Sequence, residues 1–403
     1  MFPHLLNDLH VIELSAFVAA PLGGMTLAQM GADVIRIDPL GGGLDSARWP
    51  LADNGGSLFW NGLNKAKKSV AINLHTEAGK ALARALILAR NETILLTNFP
   101  SRGLLDYNAL SKNMPSLIQL TITGNHHGKS AVDYTVNPAV GLPLITGPED
   151  SQDVCNHVLP AWDLITGHMA VIGILGAERQ RQRTGLGQHV KLALEDAALA
   201  MMGHLGFVAE AQLGHERQRY GNYLFGAFGK DFMTADGRRI MVIGLTLKQW
   251  RSLCAATELD SDIQALGERL GLDLNDEGNR FKAREDIAAL LGPWCARRSL
   301  ADIQQVFDAH GVCWGPYQSM MECVQQTGPA SLAENPIFSA IHQPGIGDYL
   351  MPGLPLDFSA AQREATAPAP VLGEHTEEVL TKVLGLSTAQ IGVLIDEKTI
   401  AKP

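Results

Sequence analysis

The chain has 403 residues, with 32 Lys+Arg against 42 Asp+Glu and a formal net charge of −10. Hydrophobic residues make up 46% and charged residues 18%, a balance that builds large cores and excludes a mostly disordered chain. With no Lys/Arg-rich run, the acidic balance gives no electrostatic reason to expect nucleic acid or an anionic membrane as partner. At about 150 residues per domain, the length fits two or three domains, or one large α/β domain with an insert.

The first ten residues lack a basic stretch followed by an apolar run, so the reading is a soluble, cytoplasmic protein. Leu9 to Leu14 reads as a buried strand, Ala19 to Met30 as a helix, and Ala32 to Ile37 as a second strand ending at Asp38. Strand, helix, strand in this compass is the βαβ pattern of a parallel sheet. Gly41-Gly42-Gly43 breaks the chain. Strands are then expected at Ser69–Leu74, Thr93–Thr97 and Leu117–Thr123, with a helix at Glu77–Arg90. That alternation predicts a doubly wound sheet. Residues 124 to 160, rich in Gly, Pro, Asn and Asp, read as a long loop, and loops of that length are usually functional.

An apolar helix over Asp163–Arg181, expected to be buried, precedes Thr184-Gly185-Leu186-Gly187 and a strand at His189–Leu194. The longest weakly polar stretch, Leu164 to Ala177, is too short to span a bilayer. Ala197–Leu213 is helical. Beyond Gly214 the texture changes: Asp236-Gly237 makes a hairpin turn between Asp231–Thr234 and Arg238–Ile243. Amphipathic helices follow at Leu247–Thr257, Arg280–Leu291 and Leu300–His310, as in a smaller α+β domain. Residues 335 to 372 are Pro/Gly-rich, and Thr376–Leu384 is a closing helix.

Asp38 stands where a dinucleotide enzyme holds a ribose hydroxyl, but Ser15 to Met25 lacks G-x-G-x-x-G. Asp163 opens its apolar helix, either as an N-cap or as a nucleophile kept ionised by the helix dipole. His126-His127 are adjacent and suit loop donors or solvated residues better than a metal site. The five cysteines (Cys155, Cys254, Cys295, Cys313, Cys323) are scattered without C-x-x-C, which excludes a disulfide framework or Cys-rich zinc site. No G-x-S-x-G elbow and no phosphate-binding P-loop is present. Lys65, Lys67 and Lys68 form a basic cluster before a strand, either solvated or meeting phosphates.

Seven segments together resemble the family III CoA-transferases: Glu13–Pro21 (ELSAFVAAP), Gly31–Pro39 (GADVIRIDP), Leu63–Leu74 (LNKAKKSVAINL), Thr97–Phe99 (TNF), Pro160–Gly167 (PAWDLITG), Thr184–Val190 (TGLGQHV) and Leu372–Thr376 (LGEHT). The resemblance implies an α/β fold with a Rossmann-like doubly wound parallel sheet in a large domain, a smaller α+β domain, and an interlocked homodimer. On that reading residues 1–210 are the large CoA-binding domain, 211–330 the small domain, and 331–403 a return segment with a C-terminal helix completing the large one. It makes Asp163 the nucleophile. It carries CoA binding to Ala16 and Phe17, to Ile72, Asn73, Leu74 and His75, and to Asn98 and Phe99. Arg102 is the expected substitute for an arginine found in the family.

His126, His127, Asp133, Tyr134 and Asn137 are expected to line the substrate pocket from the long loop. The resemblance implies an acyl-CoA substrate with no prosthetic group, and the residues give no reason to expect a metal, nucleic acid or membrane as partner. Stretches such as Val132–Pro138 (VDYTVNP) and Gly221–Gly229 (GNYLFGAFG) look most like members that move CoA between two carboxyls of one molecule. Two departures narrow the activity. Ala131-Val132-Asp133 stands where racemases of the family have G-H-D, and the GGGGQ loop of formyl-CoA transferase is absent, with Gly221, Gly226 and Gly229 nearest to it. Transfer between separate acids, a nicotinamide dehydrogenase and a non-catalytic CoA-binding protein are the competing readings.

Overall fold

Apolar runs that alternate between two buried faces set up the main sheet. The computed structural model describes residues 1–403, and in it β1 (His10–Leu14), β2 (Asp33–Asp38), β3 (Lys68–Ile72), β4 (Ile94–Thr97), β5 (Ile118–Thr123) and β6 (His189–Ala193) pair in parallel. Their order is β3-β2-β1-β4-β5-β6, the doubly wound order, and a short strand at Ile400–Ala401 adds antiparallel to the β3 edge. Val11, Val34, Ile94, Leu96, Ile118 and Leu120 point to one core, with α1 (Ala19–Gln29) and the long helix Ala161–Thr184. Ile12, Ile35, Val70, Leu95 and Leu117 point to the other, with the helices Glu77–Leu88, Thr376–Leu384 and Thr388–Asp396. Strands covered on both faces read as continuous apolar runs.

The chain divides into two compact units. The first comprises Met1–Val140, Val158–Ala209 and Thr327–Pro403, and the second Gly141–His157 with Glu210–Gln326. Residues 141–157 thus depart from the expected 1–210 domain. Arg219 explains the excursion, donating to the carbonyls of Leu144, Ser151 and Asp153 at 2.6–2.7 Å. Arg284 adds a 3.2 Å ion pair to Glu149. These are contacts of single arginines, with backbone carbonyls and with one acid, and leave no pattern in a sequence. The second unit is built on the antiparallel sheet β7 (Phe228–Met233), β8 (Arg239–Gly244) and β9 (Cys313–Pro316), packed on helices that include Asp260–Leu270, absent from the sequence reading.

Other expectations change as well. The 124–160 loop contains helices at Asp133–Ala139 and Leu142–Ile145. The Pro/Gly-rich 335–372 stretch contains an antiparallel hairpin, β10 (Phe338–Gln343) with β11 (Gly347–Pro352). The helix expected over 197–213 is two, Leu194–His204 and Phe207–Gln212, interrupted at Gly206 with φ 85°. The long helix is not buried all round: His168, Met169 and Ile172 are exposed in the single chain. No helix is long and apolar enough to cross a membrane.

The long helix reaches the sheet through a close crossing with α1. A Cβ on Gly167 would stand 2.8 Å from the Ala19 carbonyl oxygen, and one on Gly23 would stand 3.2 Å from the Gly167 carbonyl oxygen. Only backbone fits there. Gly167→Ala therefore forces the two helices apart, with an expected destabilisation of about 1–3 kcal/mol in denaturant unfolding, whereas Gly176→Ala, in open space on the same helix, should not destabilise.

Candidate active site

In an open α/β sheet, ligands bind beyond the carboxyl ends of strands where the winding reverses. Here that point lies between β1 and β4. Asn98, just after β4, clamps the chain just after β1: its Oδ1 accepts from the Ala16 N–H at 3.0 Å, and its Nδ2 donates to the Ala16 carbonyl at 2.7 Å. Phe17 then turns through φ 69°, a region costly for a residue with a Cβ. Its N–H is held by Asp45 Oδ2 at 2.8 Å. Ala16, Phe17, Asn98 and Phe99 wall a cleft of about 340 Å³, with Gly124 beyond β5, Leu194 beyond β6, and Asp163.

Beneath this turn is a buried charge network. Arg36 binds Asp38 at 2.7 Å, Glu13 at 3.1 Å and Asp45 at 3.4 Å, and also donates to the Ser15 carbonyl. Lys67 binds Glu13 at 2.9 Å, and burial lowers its pKa to about 8. Asp38 is therefore a structural ion and not a ribose ligand, its second oxygen accepting from Ser69 Oγ at 2.6 Å. The lysine cluster spends its charges within the protein, and only Lys68 stays partly solvated. Lys67 is buried in this network, Lys65 donates to the Pro352 carbonyl, and Lys68 pairs with Asp33.

Asp163 is the third residue of the long helix, so it is not the N-cap. The helix has no cap from its own preceding residue, Pro160. Asp133 supplies it from elsewhere: its Oδ2 accepts from the N–H groups of Trp162 at 2.7 Å and Asp163 at 3.2 Å. Asn137, one turn along the same short helix, accepts from the Trp162 indole N–H at 3.1 Å. A proline at the cap position, with no oxygen to offer, makes this borrowed cap necessary. Asp163 is largely buried. Burial, then the Asp133 charge, push its pKa up to about 7, against the pull of Arg48.

The other expected residues divide. Ile72, Asn73, Leu74 and His75 follow β3, where Ile72 is buried core and Asn73 bonds Lys398 and Thr399. None of the four lines the Asp163 cleft. Arg102 precedes a 3-10 turn and is exposed, and it too lies off the cleft. Asp133 and Asn137 are buried and face Trp162, while the Tyr134 hydroxyl donates to the Val158 carbonyl, so these three hold the helix entry, and none of them lines the Asp163 cleft. His126 and His127 border a neighbouring cleft of about 360 Å³ that shares Pro100, Thr123 and Gly128 with the first, and His126 stands 3.5 Å from Asp196. Arg48, Asp45 and Arg36 were not singled out from sequence. Arg36 lies inside the GADVIRIDP segment, but Asp45 and Arg48 follow a glycine break with no periodicity to mark them.

Two outcomes follow from the Asp163 environment. A carboxyl whose folded pKa lies above its ordinary value binds more protons folded than unfolded, so it lowers stability as pH rises from about 4 to about 7. Asp163→Asn should therefore unfold at higher denaturant than the parent at pH 8, by at most about 4 kcal/mol at 1.4 kcal/mol per pKa unit, and show no gain near pH 4. Asp133→Asn keeps a side-chain oxygen for the cap but removes the charge. The Asp163 carboxyl, pushed up to about 7 in the parent, should then titrate at lower pH, as followed by carbon-13 NMR of the side chain.

The comparisons bear on the whole chain. The model of CoA-transferase family III matches residues 6–376. The chain is 54% identical to the 2-methylfumaryl-CoA isomerase of Chloroflexus aurantiacus, over 99% of this chain and 98% of that protein. It is 29% identical to the succinyl-CoA–D-citramalate CoA-transferase of the same organism, over 99% and 98%. Among solved structures, a CAIB/BAIF family protein from Brucella suis superposes with a TM-score of 0.76 at 24% identity, covering 95% of this chain and all of that one. With a family match across nearly its whole length and a full-length relative above half identity, the chain belongs to CoA-transferase family III.

Proposed function

We propose that the protein moves CoA within one molecule, converting 2-methylfumaryl-CoA (the C1 thioester of mesaconate) to 3-methylfumaryl-CoA (the C4 thioester), with Asp163 as nucleophile. The main support is a largely buried carboxylate of raised pKa on a cleft at the sheet's switch point, in a chain 54% identical to an isomerase of that name. Exchange between two carboxyls is nearly thermoneutral, so the task is to keep the acyl group from water. Ionised Asp163 attacks the C1 carbonyl, and the CoA thiolate leaves a mixed anhydride. The thiolate then attacks the aspartyl carbonyl, giving an aspartyl-CoA thioester and the free dianion. The C4 carboxylate attacks that thioester, and the steps run in reverse to release Asp163. Covalent catalysis splits one hard exchange into easier ones.

Each tetrahedral oxyanion needs aimed donors. The first turn of α1 has no side-chain cap and presents its positive end where Ala19 meets the cleft. A pKa near 7 also makes Asp163 a stronger nucleophile than an ordinary carboxylate while leaving much of it ionised at neutral pH. The protein acts as a homodimer, interlocked as its family resemblance implies. Support comes from apolar side chains exposed in the single chain, Val158, Leu159, Met169 and Ile172 on the long helix and just before it, and Leu205 at the end of the helix Leu194–His204. The second reading, transfer between an acyl-CoA and a separate acid, is favoured by the D-citramalate transferase likeness.

Incubation with mesaconyl-C1-CoA and no added acid separates the two. Chromatography should show the C4 ester appearing without labelled mesaconate from solution entering it. A requirement for added acid, or rapid entry of label, selects the intermolecular reading. Asp163→Ala should reduce turnover to background with an unchanged circular dichroism spectrum. Sedimentation should give twice the chain mass.

A further inference from the structure

Arg48 is the one cation whose charge opposes the raised pKa of Asp163. Its guanidinium lies over two aromatic faces, 5.8 Å from the Phe17 ring centre and 5.1 Å from that of Phe59. Its backbone N–H donates to the Asp45 carbonyl at 3.1 Å, and the Asp45 side chain in turn holds the Phe17 N–H. The turn that walls the cleft and the arginine set against its Phe17 ring are thus one tied unit, anchored through Asp45 to buried Arg36. No carboxylate of the chain pairs with Arg48, and its side chain is exposed. A surface arginine ordered by ring stacking, with its planar fork unpaired, is prepared to receive an anion in bidentate geometry.

We propose that Arg48 reads the second carboxylate of the acyl group, the one not joined to CoA, and so selects dicarboxylyl over monocarboxylyl thioesters. This rests on the reading of Asp163 as the acyl-accepting residue. The substrate brings two kinds of anion, that carboxylate and the phosphates of CoA. The thioester must sit at Asp163, with the phosphates at the far end of the pantetheine arm, so the anion beside Arg48 is the acyl carboxylate. In the C1 and C4 esters alike one carboxylate is free, and the same arginine serves both ends of the exchange.

Two unreactive thioethers test this without depending on turnover: S-(3-carboxypropyl)-CoA and S-butyl-CoA, which differ only in the terminal carboxylate. Isothermal titration of the full-length protein should show the carboxypropyl compound binding about 10- to 100-fold tighter, the range for charged hydrogen bonds. Arg48→Gln should bring its Kd to that of butyl-CoA and leave the butyl-CoA value unchanged, which also reports a folded site. Arg48→Lys, with charge but no fork, should fall between. No discrimination by the parent, or discrimination that survives Arg48→Gln, overturns the proposal. Loss of both affinities in Arg48→Gln with recovery of both in Arg48→Lys assigns the arginine to the phosphates instead. If the parent discriminates through Arg48 yet leaves mesaconyl-C1-CoA unchanged, the isomerase reading falls and the role of Arg48 stands.

Discussion

The contact on which the site depends is a carboxylate bonded to the first turn of another helix. Asp133 Oδ2 takes the N–H groups of Trp162 and Asp163. A helix that begins after proline has unpaired donors and no local side chain to satisfy them. Supplying the missing acceptor as an anion does two things at once. It fixes the start of the long helix, and it sets a negative charge beside Asp163. The group that fixes the helix start at Asp163 therefore adds its charge to the pKa rise that burial causes, and the two effects cannot be tuned separately by moving Asp133.

A second constraint lies on the other wall of the cleft. The Ala16–Phe17 turn is unfavourable in itself, with a phenylalanine at positive φ. It is over-determined from two sides, by the Asn98 amide and by Asp45. Backbone strain at a binding site persists only where surrounding bonds fix it. The cost is carried by a network in which Arg36 satisfies three acids while Lys67 supports Glu13. Replacing one member of such a network leaves an unpaired buried charge, so its members are coupled.

The sheet and the site meet by geometry rather than by sequence proximity. Asp163 is 65 positions from Asn98 and further still from Ala16 along the chain. The Gly23–Gly167 crossing brings the long helix down onto α1, and the doubly wound order puts the ends of β1 and β4 side by side. The chain leaves the first unit at Val140 and returns at Val158, so the whole Gly141–His157 excursion lies between the residue that caps and the residue that is capped.

Much of this was legible in the residues alone. The parallel strands announce themselves because both faces are buried, which leaves apolar runs such as Ile94–Leu96, and in β1 Val11, Ile12 and Leu14 around a single buried acid. Asp163 stood out as an acid opening an apolar helix, and the motifs around it carried the family. Tertiary structure decided the rest, because the deciding partners are distant and their residue types are common. Asp133 as a cap, Asp38 as a buried ion, Lys67 in the core and Arg48 over two rings depend on which groups folding brings within about 3–6 Å. An aspartate in a polar stretch and an arginine after a glycine break look the same in sequence whether they face water or another buried charge. Periodicity reports burial along one element, but a charge's role is set by neighbours from other elements.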